Sequence, residues 1–143
     1  MNFSIGSILL FKKYYFTDSA KCARHFGLVL LPEKATKFQN SILCCVITSK
    51  KPKIEIYSLL LSCSTYKCFK YDSYACFDRR DLQSKGDLDD GSQPKGRLNR
   101  EDLAKAFKKL RKSLYGIRDS KSGLFLVGTI IHEWKKALGL VKI

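Results

Sequence analysis

The chain has 143 residues, 45% of them hydrophobic and 12% aromatic, which is enough for one packed core and too much for a disordered chain. Twenty-seven Lys and Arg against 13 Asp and Glu leave a net charge of +14 and a pI near 9.6. That excess excludes a cationic partner and favours a polyanion: nucleic acid first, then an acidic protein, then an anionic membrane surface.

In chain order, Gly6 to Lys12 ("GSILLFK") predicts a short buried strand. The next stretch, "KKYYFTDSAKCARH", predicts a loop in which Lys12, Lys13, Lys21 and Arg24 interleave with Tyr14, Tyr15 and Phe16. Cations that track phosphates and aromatic faces that stack on unpaired bases give such a loop a nucleic-acid reading. The plainer reading tucks some of the rings into the end of the fold. "FGLVLLP" predicts a second strand stopped by Pro32, and "EKATKFQN" a polar loop. Ser41 to Thr48 predicts a third strand, whose apolar run Ile42 to Ile47 gives way to Thr48, Ser49, Lys50 and Lys51. Two hydroxyls beside two cations suit a phosphate, although a strand emerging into solvent ends the same way.

Residues 54–61, 65–71 and 73–77 predict further short strands rich in Ile, Tyr and Phe. Many short strands at close spacing predict a small antiparallel barrel. Arg79 and Arg80 between Asp78 and Asp81 read as a turn that satisfies its own charges. The following "KGDLDDGSQPKGRL" is loop. Counted from Asp87, the fifth, sixth and twelfth positions of a calcium loop fall on Gly91, Ser92 and Asn99, so its ligand pattern fails.

Asn99 to Tyr115 predicts the clearest element, a helix. Asn99 caps it, Glu101 and Asp102 sit in its first turn, and Leu103, Phe107, Leu110 and Leu114 form one apolar stripe. Lys108, Lys109, Arg111 and Lys112 load the last turns, as a solvated face or a nucleic-acid contact. In the tail, residues 118–143, Leu124, Val127, Ile131, Trp134 and Leu138 follow helical spacing. Gly128 to Ile131 favour instead a strand followed by a short helix from His132. Either way the tail is expected to cover the core or to offer a docking or oligomer surface.

No segment approaches the roughly 18 apolar residues that span a bilayer. The opening "MNFSIGSILLFKK" lacks an early basic region and a small-residue cleavage site, so the cytoplasm is the expected compartment. There the six cysteines are expected to stay reduced. No pair has C-x-x-C spacing, and adjacent Cys44 and Cys45 would point to opposite faces of a strand. No metal site or cofactor is expected.

Taken together, "GSILLF", "RHFGLVLLP", "LCCVITSKK", "YKCFKYDSYACFDRRDL" and "KGRLNREDLAKAFKKLRKSLYGI" resemble, in order and spacing from Gly6 to Ile117, the MazF/PemK family of bacterial toxin endoribonucleases. The resemblance implies a mostly β, SH3-like antiparallel barrel over residues 1–117, closed by the helix 99–115, with residues 118–143 as an extension. It implies a homodimer that cleaves single-stranded RNA without a metal ion and is covered by a small acidic antitoxin. By the same match Thr48 is the hydroxyl donor to the phosphate, with Ser49 beside it. Arg24 is the catalytic cation, and Lys50 and Lys51 hold flanking phosphates.

The family's Arg-Pro is here Arg24-His25, and Ser7 follows Gly6 where the family has an acid. A shift of one residue puts His25 in the arginine's place, and a histidine can move a proton where an arginine cannot. A nucleic-acid-binding barrel that kept the fold and lost the activity is the alternative. A barrel that uses its charge for an acidic protein is a third.

Overall fold

The strands near the start of the chain read as unbroken apolar runs because both of their faces are buried. In the computed structural model, which describes residues 3–16, 21–89, 93–116 and 127–140, six antiparallel strands form one curled sheet in the order β4-β5-β3-β2-β1-β6. They are β1 (Ser7–Tyr15), β2 (Cys22–Leu31), β3 (Ser41–Thr48), β4 (Ser58–Leu61), β5 (Ser73–Ser84) and β6 (Gly96–Arg97). Alternate residues of β2 and β3 serve two separate cores. Leu28, Leu30, Cys45 and Ile47 face one core, and Val29, Ile42, Cys44 and Val46 face the other. The second core fills the hollow of the curl with Leu9, Phe11 and Tyr14, and a bridge from Phe11 to Leu88 draws the chain after β5 back onto β1. The small antiparallel barrel predicted from the strand spacing is present as a curled half-barrel.

Among the described residues three α-helices accompany the sheet: α1 (Glu33–Thr36), α2 (Arg100–Gly116) and α3 (Val127–Ala137). The Asn99 side chain accepts the Asp102 backbone N–H at 2.8 Å, the cap that its sequence position predicts. Phe107, Leu110 and Leu114 of α2 bury the apolar stripe against the outer core, with Leu103 packed at its edge. α3 covers the same core. Trp134 is fully buried, stacks on Phe107 with a 9° angle between ring planes, and donates from Nε1 to the Leu30 carbonyl at 2.9 Å. No helix among the described residues is long and apolar enough to cross a membrane.

Several boundaries differ from the sequence reading. Residues 12–15 and 22–25, expected as loop, lengthen β1 and β2 into a hairpin. A turn of helix, α1, lies in the polar loop after Pro32. In the run 54–61 only Ser58–Leu61 is strand, because Ile54 and Ile56 are about half exposed and their alternation never meets the core. Residues 65–71 are turns, while β5 runs on to Ser84 through Arg79 and Arg80. The expected Arg79–Arg80 turn is thus a strand with a bulge. Arg80 donates from Nη1 to the Phe77 carbonyl and to Ser113 Oγ, tying β5 to α2. In the tail, Val127 to Ala137 is helix throughout, since Ile130 and Trp134 bury on one side. Leu124 and the residues 90–92 lie outside the described residues.

Two expectations for Cys44 and Cys45 meet the structure directly. They point into different cores, and burial raises both thiols well above their ordinary range. Gly27, on β2, lies so close to the inner core that an added Cβ would stand 2.8 Å from the Tyr14 ring and 3.2 Å from Phe11.

Candidate nucleic-acid interface

The ends of β2 and β3 carry the polar residues that the sequence singles out. The ladder pairs Phe26 with Ile47 and Gly27 with Val46, so one further step sets His25 across from Thr48, and a second sets Arg24 across from Ser49. Because side chains alternate along a strand, His25 and Thr48 share one face and Arg24 and Ser49 the other. Two clefts of about 390 Å³ open at these strand ends. One is lined by Thr48, Lys50, Lys51, Lys53, Cys76, Asp78 and Arg79. The other is lined by Arg24, His25, Phe26, Ser49, Phe69, Lys70 and Tyr71.

Arg24 lines one cleft and Thr48 the other. Arg24 pairs with Asp89 at 3.1 Å, largely exposed. The cation nearest in kind to the one expected is Arg79, which lines the Thr48 cleft and lies 5.7 Å over the Phe16 ring. In the sequence Arg79 reads as part of a turn that satisfies its own charges. The bulge between the Cys45–Arg80 and Val46–Cys76 pairs inserts Phe77, Asp78 and Arg79 at this point, and bulges are invisible in residue spacing.

Thr48 Oγ1 accepts the Lys50 backbone N–H at 3.1 Å, which leaves its own hydrogen to donate to an anion in the cleft. His25 Nδ1 lies 3.0 Å from the Phe26 carbonyl. The carbonyl accepts a hydrogen bond from this nitrogen when Nδ1 carries the proton. The imidazole is held by two rings, Tyr14 at 5.9 Å and Phe16 at 5.4 Å between centroids. Cys76 lines the same cleft, but burial first and Asp78 second push its thiol up to about 11, so it is no nucleophile at neutral pH.

Of the residues expected to hold RNA, Lys12, Lys13, Tyr15 and Lys21 are exposed on the β1–β2 hairpin, and Ser49, Lys50 and Lys51 are exposed beyond β3. Lys51 also pairs with Glu55 at 2.8 Å. Tyr14 is the exception: it is fully buried, packed edge to face on Phe11, and cannot stack on a base. Its hydroxyl is the buried side-chain polar atom without a partner among the described residues. No group of three or more His, Cys, Asp or Glu side chains converges among the described residues.

The same curled sheet with helices at its C-terminal end occurs in solved toxin structures. MazF from Deinococcus radiodurans superimposes with a TM-score of 0.58 at 18% identity, over 82% of this chain and 99% of that one. The fold is that of the MazF toxins. An endoribonuclease from a mycobacterial species, solved in complex with its cognate antitoxin, gives a TM-score of 0.58 at 14% identity over 82% and 98% of the two chains. The Mycobacterium tuberculosis toxin MazF-mt6 gives 0.57 at 12% identity, over 76% and 96%. No protein-family model matches the sequence, and no curated protein matches it. The likeness thus rests on the path of the backbone, which each of these toxins shares along almost its whole length.

Proposed function

We propose that this chain is a MazF/PemK-type toxin of a toxin–antitoxin pair, an endoribonuclease that cuts single-stranded RNA without a metal ion. The observation that carries the reading is the cleft at the end of β3, lined by Thr48, Lys50, Lys51, Lys53 and Arg79, with His25 lining the neighbouring cleft. The fold likeness and the charge of +14 support it from separate directions.

The chemistry follows from what metal-free cleavage needs. A ribose 2′-hydroxyl attacks its own phosphorus, the bond to the 5′-oxygen breaks, and a 2′,3′-cyclic phosphate forms. His25 Nε2 takes the proton from the 2′-hydroxyl, and water in the open cleft supplies one to the departing 5′-oxygen. Negative charge gathers on the phosphoryl oxygens, where Thr48 donates a hydrogen bond and Arg79 and Lys50 supply positive charge. In this reading Arg24 holds a neighbouring phosphate. The working unit is a homodimer in the cytoplasm, and a small acidic antitoxin covers the cationic clefts.

Incubating the purified protein with a long single-stranded RNA in EDTA and sequencing the ends tests the proposal. Discrete 5′-hydroxyl ends are expected. Intact RNA, or cutting only when metal is added, overturns it. A second reading, a binding barrel without activity, draws on the separation of Arg24 from Thr48. It predicts RNA bound and left whole in the same experiment, and no growth arrest on expression.

A further inference from the structure

The cleft on the Arg24 side is built differently from the one at Thr48. Its floor is aromatic: Phe26 and Phe69 meet edge to face at 5.1 Å between centroids. Tyr71 stands at its rim, 62% exposed, with Lys70 Nζ 5.6 Å from the ring centroid. Ser49 and Ser73 line the same opening. Ser73 Oγ donates to the Tyr71 carbonyl at 3.0 Å, which steadies the backbone under the ring and leaves the oxygen's lone pairs as acceptors. Arg24, paired with Asp89 at 3.1 Å and itself largely exposed, adds a second cation.

A phosphate alone would have no use for the open aromatic face, and an apolar side chain would have none for the two cations. An unpaired nucleobase flanked by its own phosphates uses both. We propose that this cleft is a base pocket: one unpaired base of an RNA strand stacks on Tyr71, Ser49 and Ser73 bond to its edge, and Arg24 and Lys70 hold the adjoining phosphates. The inference rests on the RNA-binding part of the function proposed above. Thr48 and Ser49 are successive residues, as are Arg24 and His25, with Cα atoms about 3.8 Å apart. In this proposal the two clefts adjoin at the ends of β2 and β3, and one RNA strand reaches both.

The test uses the full chain and a short, labelled single-stranded RNA of mixed sequence carrying 2′-fluoro sugars, which cannot attack their own phosphates. Fluorescence anisotropy compares the parent with Tyr71→Ala and Tyr71→Phe, substitutions at an exposed turn. Tyr71→Phe is expected to bind like the parent, and Tyr71→Ala about tenfold more weakly, the loss of one base–aromatic stack. Among probes that each lack one base, one position should cost the parent about tenfold and Tyr71→Ala nothing. Equal affinity of Tyr71→Ala and parent, or equal penalties in both for every missing base, overturns the pocket. Binding of this kind without cleavage of unmodified RNA would remove the enzymatic proposal and leave the pocket standing. Cleavage with an unaltered Tyr71→Ala would do the reverse, and a parent that binds no RNA would end both.

Discussion

The His25 ring packs against Tyr14 and Phe16, with ring centroids 5.9 and 5.4 Å away, and its Nδ1 lies 3.0 Å from the Phe26 carbonyl. Under the proposed function the histidine, rather than Arg24, takes the proton. His25→Ala is expected to slow single-turnover RNA cleavage by about 10²-fold or more, and Thr48→Ala by about 10²-fold, with RNA affinity nearly kept. Thr48→Ser should retain most of the rate. Arg24→Ala should weaken binding and leave the cleavage step close to the parent. Quench-flow cleavage beside anisotropy measures both; a larger rate loss in Arg24→Ala than in His25→Ala would reverse the assignment.

Under the proposed function Asp89, paired with Arg24 at 3.1 Å, competes with RNA for it. An exposed pair of this kind contributes only about 0.2–1 kcal/mol to stability, so Asp89→Asn should melt within about 1 kcal/mol of the parent. Its RNA affinity should rise a few-fold at low salt. The slope of log K against log salt should steepen by up to about 0.7, the value of one added phosphate contact on a single strand. Titrations at several salt concentrations would check it.

Trp134 fastens α3 to β2. Trp134→Ala should destabilise the chain by about 3–5 kcal/mol, and Trp134→Phe by about 1–3, the cost of a lost buried hydrogen bond. Denaturant melts followed by circular dichroism give both values. Trp134 is also the single tryptophan of the chain, so its fluorescence reports the docking of α3 directly.

Glu33 accepts hydrogen bonds from Lys85 Nζ at 2.9 Å and from the Asn40 backbone N–H, and these hold its carboxyl below the ordinary range. A carboxyl lowered in the folded state stabilises above its unfolded pKa of about 4.3 and loses that contribution as pH falls through the folded value. Glu33→Gln should therefore melt below the parent at pH 7 and converge with it in acid. Melting curves across that range measure the convergence; a constant gap would show that packing, not charge, is responsible.

The sequence made the strands legible where apolar runs stop at polar residues, as at Pro32 and Thr48, and α2 legible through its cap and stripe. It misled where an apolar residue is not buried: Ile54 and Ile56 alternate like a strand and face solvent. It misled again at Tyr14, which follows two lysines and is buried, because an irregularity between Phe11 and Tyr14 turns the ring inward while Lys12 and Lys13 stay out. The candidate site was half legible. Thr48 and the lysines follow from the end of one strand, but which of Arg24 and His25 meets them depends on the register between two strands, and a one-residue step exchanges faces. Arg79 and Tyr71 reach their clefts through a bulge and a turn, neither of which leaves a periodic trace.

Gly27 and Tyr14 can be varied only as a pair. The ring occupies the space that any side chain at position 27 would claim, and the same ring forms one wall of the His25 seat. Gly27→Ala should fold poorly, and selection for recovered folding should return smaller residues at position 14. Each recovered chain would then carry a looser imidazole, so repair of the scaffold would be inherited together with a change at the cutting edge.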